Sequence, residues 1–263
     1  MKYDIVIADP AKNITVFVLD QVQDRAAAVK ALMADPSLAA EQVGFVIPPP
    51  GGSDRPWRLE MMGGEFCGNA ARSFGLYVAR RTGLTGKQRV LIEISGAAGP
   101  LAVQVDPGAG LAEVTIPAPV AEETLEFNGA DLPIYLFEGI THVIAPDIAP
   151  DEDVFYTIKE LVERKFAGQR QRESALGVLF WDSAAALMRP AVYVYGSRTL
   201  MFESSCGSGT AAMGCWLSRE KPEDDEAIPI VQPGGIIEAR VIRKGGAVIG
   251  ISIGGTVKLY YPD

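Results

Sequence analysis

"EFCGNAARSFG" (residues 65–75) decides how this chain is read. Cys67 is followed by Gly68 and Asn69, then by a run that predicts a helix closing on Arg80, Arg81 and Gly83, basic residues followed by a glycine. A second stretch, "SSCGSGTAAMG" (204–214), repeats the arrangement: Cys206, Gly207, Ser208, and an apolar helix that stops before Pro222. Both fit the pattern C-G-x6-G, 139 positions apart. Helices with so little polar surface are buried by strands on all sides.

The flanking sequence supplies those strands. Runs rich in β-branched and aromatic residues, bounded by Gly, Pro and Asp, predict strands at 3–8, 14–20, 43–48, 57–61, 90–95, 101–106 and 112–117. The same reading predicts strands at 133–139, 142–146, 176–182, 191–195, 199–204, 236–242, 247–254 and 256–261. Amphipathic surface helices are expected at 22–35 and 153–166, one per half. "PAPVAEETLEF" (117–127), proline-rich and acidic, reads as a linker. Each half thus holds many strands, one surface helix, and one apolar helix opened by Cys-Gly. Two such halves are expected to place the two thiol-bearing helix ends facing one another across a cleft.

Bulk properties exclude several classes. The 263 residues suit one large domain or two smaller ones, with 48% hydrophobic and 22% charged residues and no sign of disorder. A net charge of −9 argues against a nucleic-acid partner, which needs clustered Lys and Arg. The opening "MKYDIVIADP" reads as a strand, and no apolar run is long enough for a membrane helix, so no membrane partner is expected. Three cysteines and a single histidine, His142, fit neither a disulfide scaffold nor a zinc site. Reduced thiols and a cytoplasmic location are expected, with no metal.

A helix N-terminus carries unpaired N–H groups and partial positive charge. A cysteine there is expected to have a lowered pKa and a useful fraction of thiolate. Gly68 and Gly207 let backbone approach a ligand, Asn69 and Ser208 add polar groups, and a carboxylate sits well on such N–H donors. One thiolate and one thiol on opposite sides of an α-carbon can remove a proton from one face and return it to the other. The N–H groups stabilise the enolate charge that develops on the carboxylate. This chemistry needs no cofactor and no metal. The plain alternative for one such cysteine is a buried inert thiol; its recurrence at the apolar helix of each half favours chemistry. Cys215, mid-helix between Gly214 and Trp216, reads as core.

With "CGNA" at 67–70 and "CGSG" at 206–209, the chain resembles the diaminopimelate epimerase family of cofactor-independent amino-acid racemases along nearly its whole length. The resemblance implies an α+β fold of two pseudo-symmetric halves, each a β-rich sheet or barrel wrapped around a central apolar helix. The halves would be residues 1–118 with a returning strand at 255–263, and residues 119–254. It implies Cys67 and Cys206 as the acid–base pair and Gly68, Asn69, Gly207 and Ser208 as carboxylate binders. "KNITVFVLD" (12–20) is similar to the segment that supplies a substrate-contacting Asn, here Asn13, and "EQVGFV" (41–46) to one that supplies a Gln, here Gln42. A turn residue and a surface residue are the plain readings of these two. A homodimer is implied as well.

The features by which such enzymes read the distal amino-acid head of diaminopimelate are largely missing. Ile140 and Ala175 stand where that family has asparagines, "EMMGGEF" (60–66) replaces its Asn-Ala-Asp-Gly run, and its Glu-Arg pair is Ser197-Arg198, so that Arg198 alone survives. Leaving a charged group unpaired costs about 1–3 kcal/mol per lost amide. An intact α-carbon site with a changed pocket, and the "GGEFCGNA" form of the first motif, resemble the histidine racemases that feed staphylopine-like metallophore synthesis. D-Histidine production is the leading specific expectation. Diaminopimelate epimerisation is the alternative within the class; a non-catalytic amino-acid-binding protein or a thiol-redox protein is the alternative outside it. A phenazine-pathway-type isomerase would lack the two cysteines. Glu65 and Glu203 precede the two cysteines and either can bind an ammonium or imidazole; solvated carboxylates at a strand end read equally well. His142 reads as a structural hydrogen-bonding residue.

Overall fold

The structure is a computed structural model that describes residues 3–51, 53–168, 174–220 and 226–262. It is a strand-rich mixed α/β protein, with four helices among the described residues. The chain forms two compact units, Met1–Thr115 with Ile253–Asp263, and Ile116–Ser252.

Unit one begins with strands β1 (Ile5–Asp9) and β2 (Thr15–Val18), paired antiparallel. Helix α1 (Arg25–Met33), capped by the Asp24 carboxylate, buries Ala28 and Leu32, one helical turn apart, and leads into β3 (Gln42–Ile47), parallel to β2. Strand β4 (Trp57–Met61) pairs antiparallel with β3, and the chain then enters helix α2 (Gly68–Arg81). Strands β5 (Gln88–Ile94), β6 (Leu101–Asp106) and β7 (Leu111–Pro117) follow as an antiparallel meander. Helix α2 packs against β1, β4, β5 and β6, and is buried from Gly68 to Ala79. Phe17 meets Phe74 edge-on at 5.7 Å, and Tyr77 stacks on Phe74. Burying a side chain such as Phe74 is worth roughly 1.5–3 kcal/mol.

Unit two opens with β8 (Ala121–Phe127) and β9 (Ala130–Phe137), an antiparallel hairpin. The stretch read as a linker is therefore mostly strand. Leu125 and Phe127 face the core while Glu122, Glu123 and Glu126 are exposed, so acidic residues hid a period-two pattern. Strand β10 (Ile140–Pro146) is followed by helix α3 (Glu152–Lys165), capped by Asp151, which buries Phe155, Ile158 and Val162. Strand β11 (Ala175–Asp182) runs parallel to β10, and β12 (Leu187–Val194) and β13 (Thr199–Phe202) continue antiparallel. Helix α4 (Gly207–Leu217) packs against β10, β11 and two later strands, β14 (Ile228–Gln232) and β15 (Gly235–Lys244). Pro222, read as the stop signal of α4, lies outside the described residues. Strand β14 escaped the sequence reading because Pro229 and Pro233 disguise it. Strand β16 (Ala247–Thr256) carries the chain back to unit one, where β17 (Lys258–Tyr260) pairs with β1.

The glycine that closes each C-G-x6-G motif has a packing reason. A Cβ on Gly75 would lie 2.6 Å from the Val103 side chain of β6, and one on Gly214 would lie 2.6 Å from Ala239 Cβ of β15. In both units the central helix crosses a strand so closely that only hydrogen fits between them.

Candidate active site

Cys67 is the N-cap of α2. Its backbone is extended (φ −133°, ψ 117°), its carbonyl accepts from Ala71 N at 2.9 Å, and its sulfur accepts from Ala70 N at 3.4 Å. The loop before it is braced: Ser95 Oγ donates to the Glu65 carbonyl at 3.0 Å, and Gly96 lies so close that a Cβ would be 2.3 Å from Phe66 N. The sulfur is partly exposed. Behind it the polar residues form a chain. Arg72 Nε donates to Asn69 Oδ1 at 3.1 Å, Asn69 Nδ2 to Asn13 Oδ1 at 3.2 Å, and Asn13 Nδ2 to Glu41 Oε2 at 2.6 Å. Arg72 is completely buried; burial pulls its pKa down to about 10, while the Cys67 sulfur pulls it up, so it stays cationic near neutrality. An N–H donor and a nearby guanidinium both favour an anionic sulfur at Cys67.

Cys206 is the N-cap of α4 with almost the same backbone (φ −128°, ψ 119°), and its carbonyl accepts from Thr210 N at 2.9 Å. Its surroundings are different. The residue is buried, its N–H donates to Gln232 Oε1 at 2.8 Å, and its sulfur lies 3.6 Å from Ser208 Oγ. Burial first, and then the Glu203 carboxylate, push the thiol well above its ordinary pKa; the Ser208 hydroxyl and the Gly209 N–H pull the other way and lose. The lowered pKa expected of a helix-start cysteine is thus reversed here. A helix terminus is worth about 0.3–1 kcal/mol, whereas full burial moves a pKa by up to about 3–5 units. A Cβ on Gly209 would lie 2.8 Å from Leu179 Cδ2 and 3.4 Å from the Cys206 sulfur, so Leu179 would have to turn aside.

Ser208 is held in turn by His142, whose Nε2 is 2.8 Å from Ser208 Oγ. Burial lowers the pKa of His142 to about 3, so the ring is neutral. The fit is tight enough that a Cβ on Gly177 would come within 2.3 Å of His142 Nδ1. Cys206 also touches an apolar wall. Ala175 and Val192 are buried with it, and Ile140, the register partner of Ala175 on β10, packs against them. The two positions where asparagines were missing from the sequence therefore meet beside this thiol.

The remaining candidates separate. Gly68 and Gly207 are the first residues of α2 and α4, both buried. Gln42 begins β3 beside Thr15, and its Oε1, like Thr15 Oγ1 and Arg72 Nη2, is buried without a hydrogen-bond partner among the described residues. Glu203 acts on Cys206 directly. The Glu65 carboxylate is taken up by its own turn, accepting from Gly63 N at 2.8 Å. Arg198 lies in the exposed β12–β13 turn at φ 57° and is joined to no other candidate by a hydrogen bond. Arg72, Glu41 and Gln232 were missed in the sequence. Only Arg72 left a trace there, as a charge inside an otherwise apolar helix.

Comparison with known proteins follows the same lines. The family model described as "Histidine racemase CntK N-terminal domain" matches residues 2–260. A histidine racemase of Fusobacterium nucleatum subsp. nucleatum is 34% identical over 243 residues, covering 89% of this chain and 87% of its own. A histidine racemase of Staphylococcus aureus is 26% identical over 234 residues, covering 87% and 85%. The solved structure of a predicted epimerase from Pseudomonas aeruginosa matches with a TM-score of 0.67 at 14% identity, over 98% of this chain and 97% of that one. A probable proline racemase from Agrobacterium radiobacter matches with a TM-score of 0.62 at 12% identity, over 99% and 93%. At these identities the structural likeness is one of fold.

Proposed function

The chain belongs to the histidine racemase family, and from that premise we propose that it inverts the α-carbon of free histidine with Cys67 and Cys206 as its two acid–base groups. It is an amino-acid racemase, an isomerase. The observation that carries the two-thiol reading is the contrast between two otherwise equivalent helix caps. One sulfur receives an N–H and lies near a buried cation; the other is buried beside a carboxylate. Racemisation by two bases needs that inequality, with one sulfur as thiolate and the other as thiol at the start of each turnover.

In the reading proposed, the Cys67 thiolate takes the α-proton, and the electron pair of the C–H bond moves into the carboxylate as an enediolate. The Cys206 thiol then gives its proton to the opposite face of the α-carbon. The product leaves with Cys67 as thiol and Cys206 as thiolate, and the reverse reaction or proton exchange restores the start. The substrate carboxylate is held by the N–H groups at the two helix starts, Gly68 and Gly207, with Asn13, Asn69 and Ser208; Gln42 adds its amide. Glu203 keeps Cys206 protonated. The fold proposed is two pseudo-symmetric halves of diaminopimelate epimerase type, in a cytoplasmic homodimer.

The wall of Ile140, Ala175 and Val192 beside Cys206 favours a substrate with no second charged amino-acid head. That supports histidine over diaminopimelate. Proton NMR of the reduced protein in D2O with single L-amino acids tests the reading. Loss of the α-proton signal of histidine with appearance of D-histidine is the expected result. Exchange of diaminopimelate alone would overturn the substrate, and exchange of no amino acid would overturn the activity.

A further inference from the structure

The hydrogen bonds behind Cys67 run in one direction. A guanidinium has only donors and a carboxylate only acceptors, and these stand at the two ends of the chain from Arg72 through Asn69 and Asn13 to Glu41. The ends therefore fix both amides between them. Neither asparagine can turn over without setting N–H against N–H or oxygen against oxygen. Each amide nitrogen carries a second hydrogen that the chain does not use, so the spare groups of Asn69 and Asn13 include N–H donors that suit a carboxylate.

Arg72 holds this arrangement at a cost. It sits in the middle of an apolar helix and is completely buried with no ion pair among the described residues. Its Nη1 donates to the Gly255 carbonyl at 3.2 Å, and its Nη2 is buried without a partner. A buried cation with no carboxylate partner among the described residues costs several kcal/mol, offset here only by the Cys67 sulfur, and an apolar residue of similar length would avoid that cost. A role in packing alone does not explain the charge.

We propose that Arg72 is a positioning residue for the substrate carboxylate: by donating to Asn69 Oδ1 it sets the polarity of both amides, so that Asn69 and Asn13 offer N–H groups to the substrate beside Cys67. The inference rests on the reading of Asn13 and Asn69 as carboxylate binders. Two roles compete with it: a brace, in which the bond to Gly255 only ties α2 to the returning strand, and support of an anionic Cys67 sulfur, which acts independently of Asn69.

A double-mutant cycle separates these roles. kcat/KM for histidine racemisation is measured for the wild type, R72M, N69A, the double variant, and R72K, with thermal unfolding of each. If Arg72 acts through Asn69, R72M lowers kcat/KM roughly tenfold or more, and the double variant is no worse than N69A within about twofold. R72K, which keeps the charge and a donor, recovers part of the loss. Losses that multiply in the double variant, or R72M activity within twofold of the wild type, overturn the proposal. If R72M does not fold, R72K carries the cycle: its smaller loss must vanish in the N69A background, and a loss that multiplies there, or no loss at all, overturns the proposal. If the wild type racemises no histidine, the racemase reading has failed, and the polarity of the chain is judged by itself. Nitrogen-15 spectra of the asparagine side chains should then show that R72K or R72M disturbs the protected NH2 signals of Asn13 as well as Asn69. An undisturbed Asn13 signal would overturn the one-way chain.

Discussion

The N-termini of α2 and α4 are nearly the same object in backbone terms. Both begin at a cysteine with φ and ψ within 5° and 2° of each other, both continue with glycine, and both are crossed by a strand at a glycine eight residues past the cysteine. Their side-chain surroundings differ in sign. Cys67 has Arg72 behind it and an N–H on its sulfur, whereas Cys206 has Glu203 beside it, neutral His142 behind Ser208, and an apolar wall. One backbone design thus carries two electrostatic environments, and in the mechanism proposed above the charge placed near each thiol selects its proton role.

Deletion of each thiol is expected to have the largest effect. Cys67→Ala and Cys206→Ala should each lower racemisation by about a hundredfold to ten-thousandfold. Residual α-proton exchange without inversion should be larger in Cys206→Ala, which keeps the sulfur prepared as thiolate. Equal residual exchange in the two variants, followed by NMR in D2O, would remove the asymmetry. Gly75→Ala and Gly214→Ala test the part that is alike. Each forces a methyl into a contact of 2.6 Å, and each should destabilise by about 1–3 kcal/mol in denaturant titrations. A large loss at one glycine and none at the other would mean that the helix crossings are not equivalent.

Glu203→Gln and Ser208→Ala sharpen the electrostatic half. Glu203 raises the pKa of Cys206 and the Ser208 hydroxyl lowers it. Removing Glu203 therefore lets the thiol ionise at lower pH, and the alkaline limb of the rate profile moves down. Removing the Ser208 hydroxyl moves that limb up. Shifts in the same direction would sink the assignment of Cys206 as the protonated partner. The smallest effect belongs to Cys215, buried and with its thiol pushed up to about 12 by burial first and Glu122 second. Cys215→Ala should leave turnover within about twofold and cost about 1 kcal/mol in stability.

Most elements were legible in the sequence because their signals are local. The strand at 57–61 and the helices after Cys67 and Cys206 lie where the patterns put them. Strand β8 was read as a linker because its three glutamates and the prolines before it outweighed Leu125 and Phe127 in a short window. Its partner β9 supplies the pairing that a window cannot contain. The closing glycine of the C-G-x6-G repeat was visible as a repeat but not as a contact, since Val103 and Ala239 come from elsewhere in the chain.

The site divides in the same way. The sequence by itself determined the two cysteines at helix starts, their glycines and the polar residues beside them, because N-caps and helix onsets depend on a few neighbouring residues. What surrounds each thiol follows from contacts distant in sequence. Arg72 reaches Asn13 through Asn69, His142 reaches Ser208 across 66 positions of chain, and burial of Cys206 is set by β10, β11 and β12. Burial and Coulomb energy depend on what lies nearby in space, so the environment of a thiol at a helix start is set by the residues that folding brings to it.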